Sequence, residues 1–138
     1  MGMSKKELVH KGSGYRLYWY SDEGYVESST DRDLSTDEFR ENMERLLALF
    51  QEKQARKCLA DMSKLGVISP ENLAWSETDW WPRCRKTQMK IFALVLPRSL
   101  AAHMAFDKAT KEWDPDATGQ VRAFFANVER AREWLLKQ

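Results

Sequence analysis

The sequence predicts an α/β domain built on a mixed, mainly parallel sheet. Three observations point there. Apolar runs of strand length alternate with segments whose apolar residues repeat at helical period. Within Lys90–Pro97, every residue from Ile91 to Leu96 is apolar, as a central strand buried on both faces requires. Two aromatic-rich segments flank the turn residues Ser21-Asp22-Glu23-Gly24, which predicts an antiparallel hairpin at the start of the domain.

The elements follow in order. Residues 1–14 are polar and end in Lys-Gly-Ser-Gly, which reads as a flexible N-terminus ahead of a single domain over 15–138. Tyr15–Tyr20 and Tyr25–Thr30 are the hairpin strands. Ser35-Thr36-Asp37-Glu38 fits a capping box. The helix it opens carries Phe39, Met43, Leu46, Leu47 and Phe50 on one face and ends near Gln54. Cys58-Leu59-Ala60-Asp61-Met62 is the third strand. Ser69 and Pro70 start a second helix, as N-cap and first residue, and Pro82 predicts a kink or early break within it. Lys90–Pro97 is the fourth strand. Ser99 caps a short helix with Leu100, Met104 and Ala105, and Trp113–Gly119 is a polar loop. Val121–Phe125 is the last strand. Asn127 caps the last helix, with Val128, Ala131, Trp134 and Leu135 on one face. No internal repeat or linker interrupts this order, which gives about four helices.

Composition excludes several classes. The 138 residues carry 22 Lys and Arg against 21 Asp and Glu, so the net charge of +1 gives no bulk attraction to nucleic acid or acidic membranes. At this length a chain buries roughly 68% of its unfolded surface, enough for one core without cross-links. The two cysteines, Cys58 and Cys84, follow no signal peptide, so a cytoplasmic protein with reduced thiols is expected. The longest apolar run is too short to span a bilayer.

The chain resembles the SpoIIAA-like domains of the STAS superfamily, small bacterial proteins mostly without assigned function. The resemblance runs from Tyr15 to Leu136. It rests on Ser35-Thr36-Asp37-Glu38-Phe39, Leu59-Ala60-Asp61, Ser69-Pro70-Glu71 with Trp75, Ala93-Leu94-Val95-Leu96-Pro97, and Phe125 with Ala131 and Trp134-Leu135. It implies a sheet of four to five strands with helices mainly on one face. It also implies a binding or regulatory role rather than catalysis. Some STAS domains are phosphorylated on a serine after the third strand, in an Asp-Ser-Ser-Gly-type segment. Here that stretch is Asp61-Met62-Ser63-Lys64-Leu65-Gly66, a departure from the pattern. A related fold occurs in CRAL-TRIO lipid carriers.

The chemistry-bearing residues are sparse. His10 and His103 are the two histidines, and no Cys, His, Asp or Glu cluster has metal-ligand spacing. Neither a metal, a cofactor nor a catalytic residue is expected. Cys58 and Cys84 read as structural thiols rather than partners of His103. Gly12-Ser13-Gly14 is too short for a phosphate loop, and Asp31 with Asp33 reads as a solvated turn.

Two places remain as candidates. Asp61, Ser63 and Ser69 follow a parallel strand, and ligands in open α/β sheets bind beyond such carboxyl ends. Ser63 could take a phosphate of about −2 charge there; the alternative is a loop capped by its own side chains. Trp80 and Trp81 are adjacent on a helix, so their side chains diverge by about 100°. One of them exposed beside Arg83 would form a partner hot spot; the alternative is core with a basic rim.

The leading expectation is a non-catalytic module with a protein partner, either monomer or symmetric homodimer. The alternative is a small apolar-ligand or lipid-binding domain. An interior cavity of about 300 Å³ or more favours the ligand, and a solid interior excludes it.

Overall fold

The computed structural model describes residues 6–66, 68–97 and 119–138. The helix expected at Ser99, His103, and the Trp113–Gly119 loop up to residue 118 lie outside them.

Among the described residues, six strands form one sheet whose spatial order is the chain order: β1 (Lys6–Lys11), β2 (Tyr15–Tyr20), β3 (Tyr25–Thr30), β4 (Lys57–Asp61), β5 (Ile91–Val95) and β6 (Val121–Phe125). β1, β2 and β3 are antiparallel neighbours; β3 to β6 run parallel. The mixed, mainly parallel α/β sheet with its opening hairpin is thus the observed fold.

The sixth strand corrects the reading of the N-terminus. Lys6–Lys11 is not loose; it pairs with β2 from Lys6↔Tyr20 to Lys11↔Arg16. The register shifts between Leu8 and His10, so Val9 is an extra residue, and it packs against the main core. Gly12-Ser13-Gly14 is the turn that joins the strands. The Gly12 N–H donates to the Tyr15 carbonyl at 2.9 Å, and Gly14 adopts a φ of 84°. Lysines at both ends of this edge strand protect it from pairing with other chains.

Between the strands lie α1 (Thr36–Lys53) and a composite helix. The latter runs as α2 (Pro70–Trp75), a π turn (Ser76–Trp80) and α3 (Trp81–Cys84). The expected break at Pro82 takes this form. In the π turn the Trp81 N–H reaches the Ser76 carbonyl five residues back. Pro82 then falls in the first turn of the next stretch, where its missing N–H is not needed. The last helix is α4 (Val128–Leu136), capped by Asn127, whose Oδ1 accepts from the Arg130 N–H at 3.1 Å. The Ser35 capping box of α1 is formed in both directions.

Period-two alternation sorts the strand residues between two faces. Leu17, Val26, Cys58, Phe92 and Leu94 face one way, against Leu46, Leu47, Leu49 and Phe50 of α1 and Trp80, Trp81 and Cys84. Tyr20, Tyr25, Leu59, Ala93 and Val95 face the other way, against Ala131 and Leu135 of α4. Two helical units therefore cover one face and α4 the opposite one. Polar bonds pin these layers. The Trp80 indole N–H donates to the Met43 carbonyl at 2.8 Å, and the Tyr15 hydroxyl donates to Glu41 at 2.7 Å. Arg132 of α4 donates to Glu27 at 2.8 Å and to the Tyr25 hydroxyl at 3.2 Å. Among the described residues no helix is long and apolar enough to cross a membrane.

Candidate functional site: an interior cavity beneath the composite helix

The parallel strands end around a cavity of about 200 Å³. Its floor is the α1 side of the sheet, from Cys58, Phe92 and Arg122, the second residues of β4, β5 and β6, to Ala60, Leu94 and Phe124 nearer their carboxyl ends, with Ser28 and Thr30 of β3 beside them. Met62, Leu65 and Ile68 line it from the loop after β4. Phe39, Asn42, Met43 and Leu46 close it from α1, and Leu73, Ser76, Glu77, Trp80 and Trp81 from the composite helix. Leu73 is 48% exposed, as is the Glu77 side chain, so the cavity meets solvent on the α2 side. This is the end of an open α/β sheet where ligands bind.

Most of the wall is apolar, with polar groups held in pairs. The Ser28 hydroxyl donates to Asn42 Oδ1 at 3.4 Å, and Ser76 donates back to the Asn72 carbonyl at 2.8 Å. Thr30 donates to the Asp61 carbonyl at 3.2 Å. Each hydroxyl is thus satisfied within the protein, leaving the interior suited to apolar groups.

The exception is Arg122. It lies in β6 opposite Phe92 and is only 4% exposed. Its guanidinium donates to Glu77 at 3.0 Å and lies over the Trp81 ring, 3.5 Å from the centroid. Burial draws its pKa below the usual arginine value and Glu77 opposes that shift. Arginine side chains are effectively always protonated in proteins, so it is cationic at neutral pH.

The expected hot spot is corrected here. Trp80 and Trp81 are both core, 1% and 7% exposed. Their rings meet edge to face at 4.8 Å, and each stands edge to face with Phe92 as well. Divergence by one residue's rotation does not expose either ring, because the composite helix packs against both α1 and the sheet: Trp80 meets Phe50, and Trp81 meets Phe92. Arg83 points elsewhere. It is paired with Glu44 of α1 and, at 2.9 Å, with Asp79.

The loop candidates turn inward on themselves. Asp61 Oδ1 accepts from the Ser63 N–H at 3.0 Å and from its hydroxyl at 2.7 Å. Ser69 is the N-cap of α2, accepting from the Asn72 N–H at 3.1 Å. These residues are capping groups; their neighbours Met62, Leu65 and Ile68 are the ones that reach the cavity. Cys58 and Cys84 are free and buried, and burial pushes the Cys84 thiol up to about 11 and that of Cys58 well above its usual value.

Sequence reasoning did not single out Arg122 and Glu77. A signal was present: Arg122 sits two residues before Phe124, hence on the same strand face, and a cation on a buried face needs an anion.

One solved structure is similar to this chain over 98% of its length and 97% of the other's, at 12% identity and a TM-score of 0.49. It is an uncharacterized protein of the DUF3478 family with a SpoIIAA-like fold, from Shewanella loihica PV-4. No protein-family model matches the sequence, and no curated protein does.

Proposed function

We propose that this chain is a non-catalytic binding module that takes a small apolar ligand into the cavity between sheet and composite helix. The cavity itself carries this reading: about 200 Å³, apolar-walled, on the α1 face of the parallel strands and reaching their carboxyl ends. It is smaller than the roughly 300 Å³ of a drug-sized pocket. A cavity of about 150 Å³ holds benzene, so this one suits a molecule of roughly eight to ten heavy atoms.

The sequence puts a protein partner first. The tryptophan pair that argued for an exposed contact is core. Among the described residues, the large apolar side chains left exposed are Leu8, Leu73 and Leu136, each on a separate element. Single exposed apolar residues are ordinary on any surface. The ligand therefore has the better support.

Octan-1-ol is a probe of the right size. Titration is expected to change tryptophan emission, since Trp80 and Trp81 line the site. Ala60→Leu places three more carbons in the cavity and is expected to remove that response while the fold persists. Equal binding to Ala60→Leu would end the proposal, as would a wild-type protein that binds neither octan-1-ol nor any other eight-carbon chain.

A further inference from the structure

We infer that the ligand of this cavity carries a carboxylate, held by Arg122. This rests on the cavity being a ligand site. Arg122 and Glu77 are the one cation and the one anion among the described lining residues. They are not equivalent. Arg122 is buried, whereas the Glu77 side chain is half exposed. A buried cation needs an anion at all times. A half-exposed carboxylate can return to water at little cost, because its hydration is largely intact.

An incoming carboxylate can therefore replace Glu77 on the guanidinium. One anion is exchanged for another, so the charge count of the interior does not change. Trp81 supports the exchange. Its ring lies 3.5 Å from the guanidinium and restricts the movement of that group. The planar fork of N–H donors of a guanidinium matches the two oxygens of a carboxylate. The apolar remainder of such a ligand then lies among side chains such as Phe124 and Leu94. An alkylamine has no comparable anchor, since Glu77 binds it near solvent, where ion pairs contribute little.

The test compares octanoate, octan-1-ol and octylamine at neutral pH, where octanoate is ionised. Octanoate is expected to bind about tenfold tighter than octan-1-ol, the gain of a charge-assisted bond. Arg122→Met should abolish that preference. Glu77→Gln should tighten octanoate by about threefold or more, because the competing anion is gone while the guanidinium stays. A merely structural Glu77 predicts the opposite sign. Should Arg122→Met fail to fold, Glu77→Gln decides alone, and weaker octanoate binding to it overturns the inference. Octan-1-ol or octylamine binding as tightly as octanoate also overturns it, while leaving the cavity a ligand site. Binding of none of the three overturns both readings.

Discussion

The Arg122 guanidinium lies over the Trp81 ring, 3.5 Å from its centroid, in the interior of the protein. Desolvated cation–π contacts of this kind contribute about 2 kcal/mol. Trp81 also meets Phe92 edge to face at 4.8 Å. Trp81→Leu removes both and leaves a void, so it is expected to destabilise the fold by about 3–5 kcal/mol. Urea denaturation measures this. A loss under about 1 kcal/mol would mean that the stack contributes nothing.

The β1–β2 turn makes Gly12 and Gly24 unequal. A Cβ on Gly12 would sit 2.2 Å from Tyr15 ring atoms, and Tyr15 is fully buried with its hydroxyl bound to Glu41. Gly24 has a φ of 72° but open space around it. Gly24→Ala should cost about 1–2 kcal/mol, the left-handed penalty alone. Gly12→Ala should cost more and release β1, read as faster amide exchange over Lys6–Lys11. Equal costs would show that Tyr15 moves aside freely.

Arg132 ties α4 to the sheet through Glu27, whose side chain is 7% exposed. Removing one partner of a fully buried pair costs about 3–5 kcal/mol. Arg132 keeps 32% of its side chain in water, so Arg132→Ala is expected to cost less, roughly 2–3 kcal/mol. Adding Glu27→Gln should recover part of that loss, since the uncompensated charge is gone. A double variant no more stable than Arg132→Ala would show that Glu27 is not stranded.

Stability should fall in alkali. Burial pushes the Cys84 thiol up to about 11 and Cys58 well above its ordinary value. Tyr15 is pushed up to about 12 by burial and its bond to Glu41. In the unfolded chain thiols ionise near 8.5 and tyrosine near 10. Between about pH 9 and 11 the unfolded chain therefore loses protons that the folded chain keeps, and unfolding becomes easier as pH rises. The urea midpoint should decline over that range. The decline should be shallower in a Cys58→Ala, Cys84→Ala protein. A flat profile would contradict the burial of the thiols.

The strands and helices with strong local signals were legible in the sequence. Ser35 and Glu38 announce α1, Ser69 and Pro70 announce α2, and Ile91–Val95 has the apolarity of a central strand. β1 was not legible by polarity: its six residues are mostly exposed or half-buried, so little separates it from a polar tail. Its signal was the turn, a Gly-Ser-Gly of hairpin length before the aromatic strand. The cavity reaches the carboxyl ends of the strands, where the sequence placed its loop candidates. The capping residues there, Asp61 and Ser63, have the polar chemistry that draws attention, yet they satisfy each other. The cavity is lined by Met62, Leu65 and Ile68, which look like core in any sequence.

By itself the sequence determined the α/β class, the hairpin, the caps and the faces of the helices. These are local matters, set by periods of two and 3.6 and by which side chains can bond nearby backbone. Only the tertiary structure decided that Trp80 and Trp81 are core and that Arg122 meets Glu77, 45 residues away in the chain. It alone left a space of about 200 Å³ between them and the strand ends. Burial, ion pairing and cavity volume depend on which distant surfaces meet, and no local pattern of residues encodes that meeting.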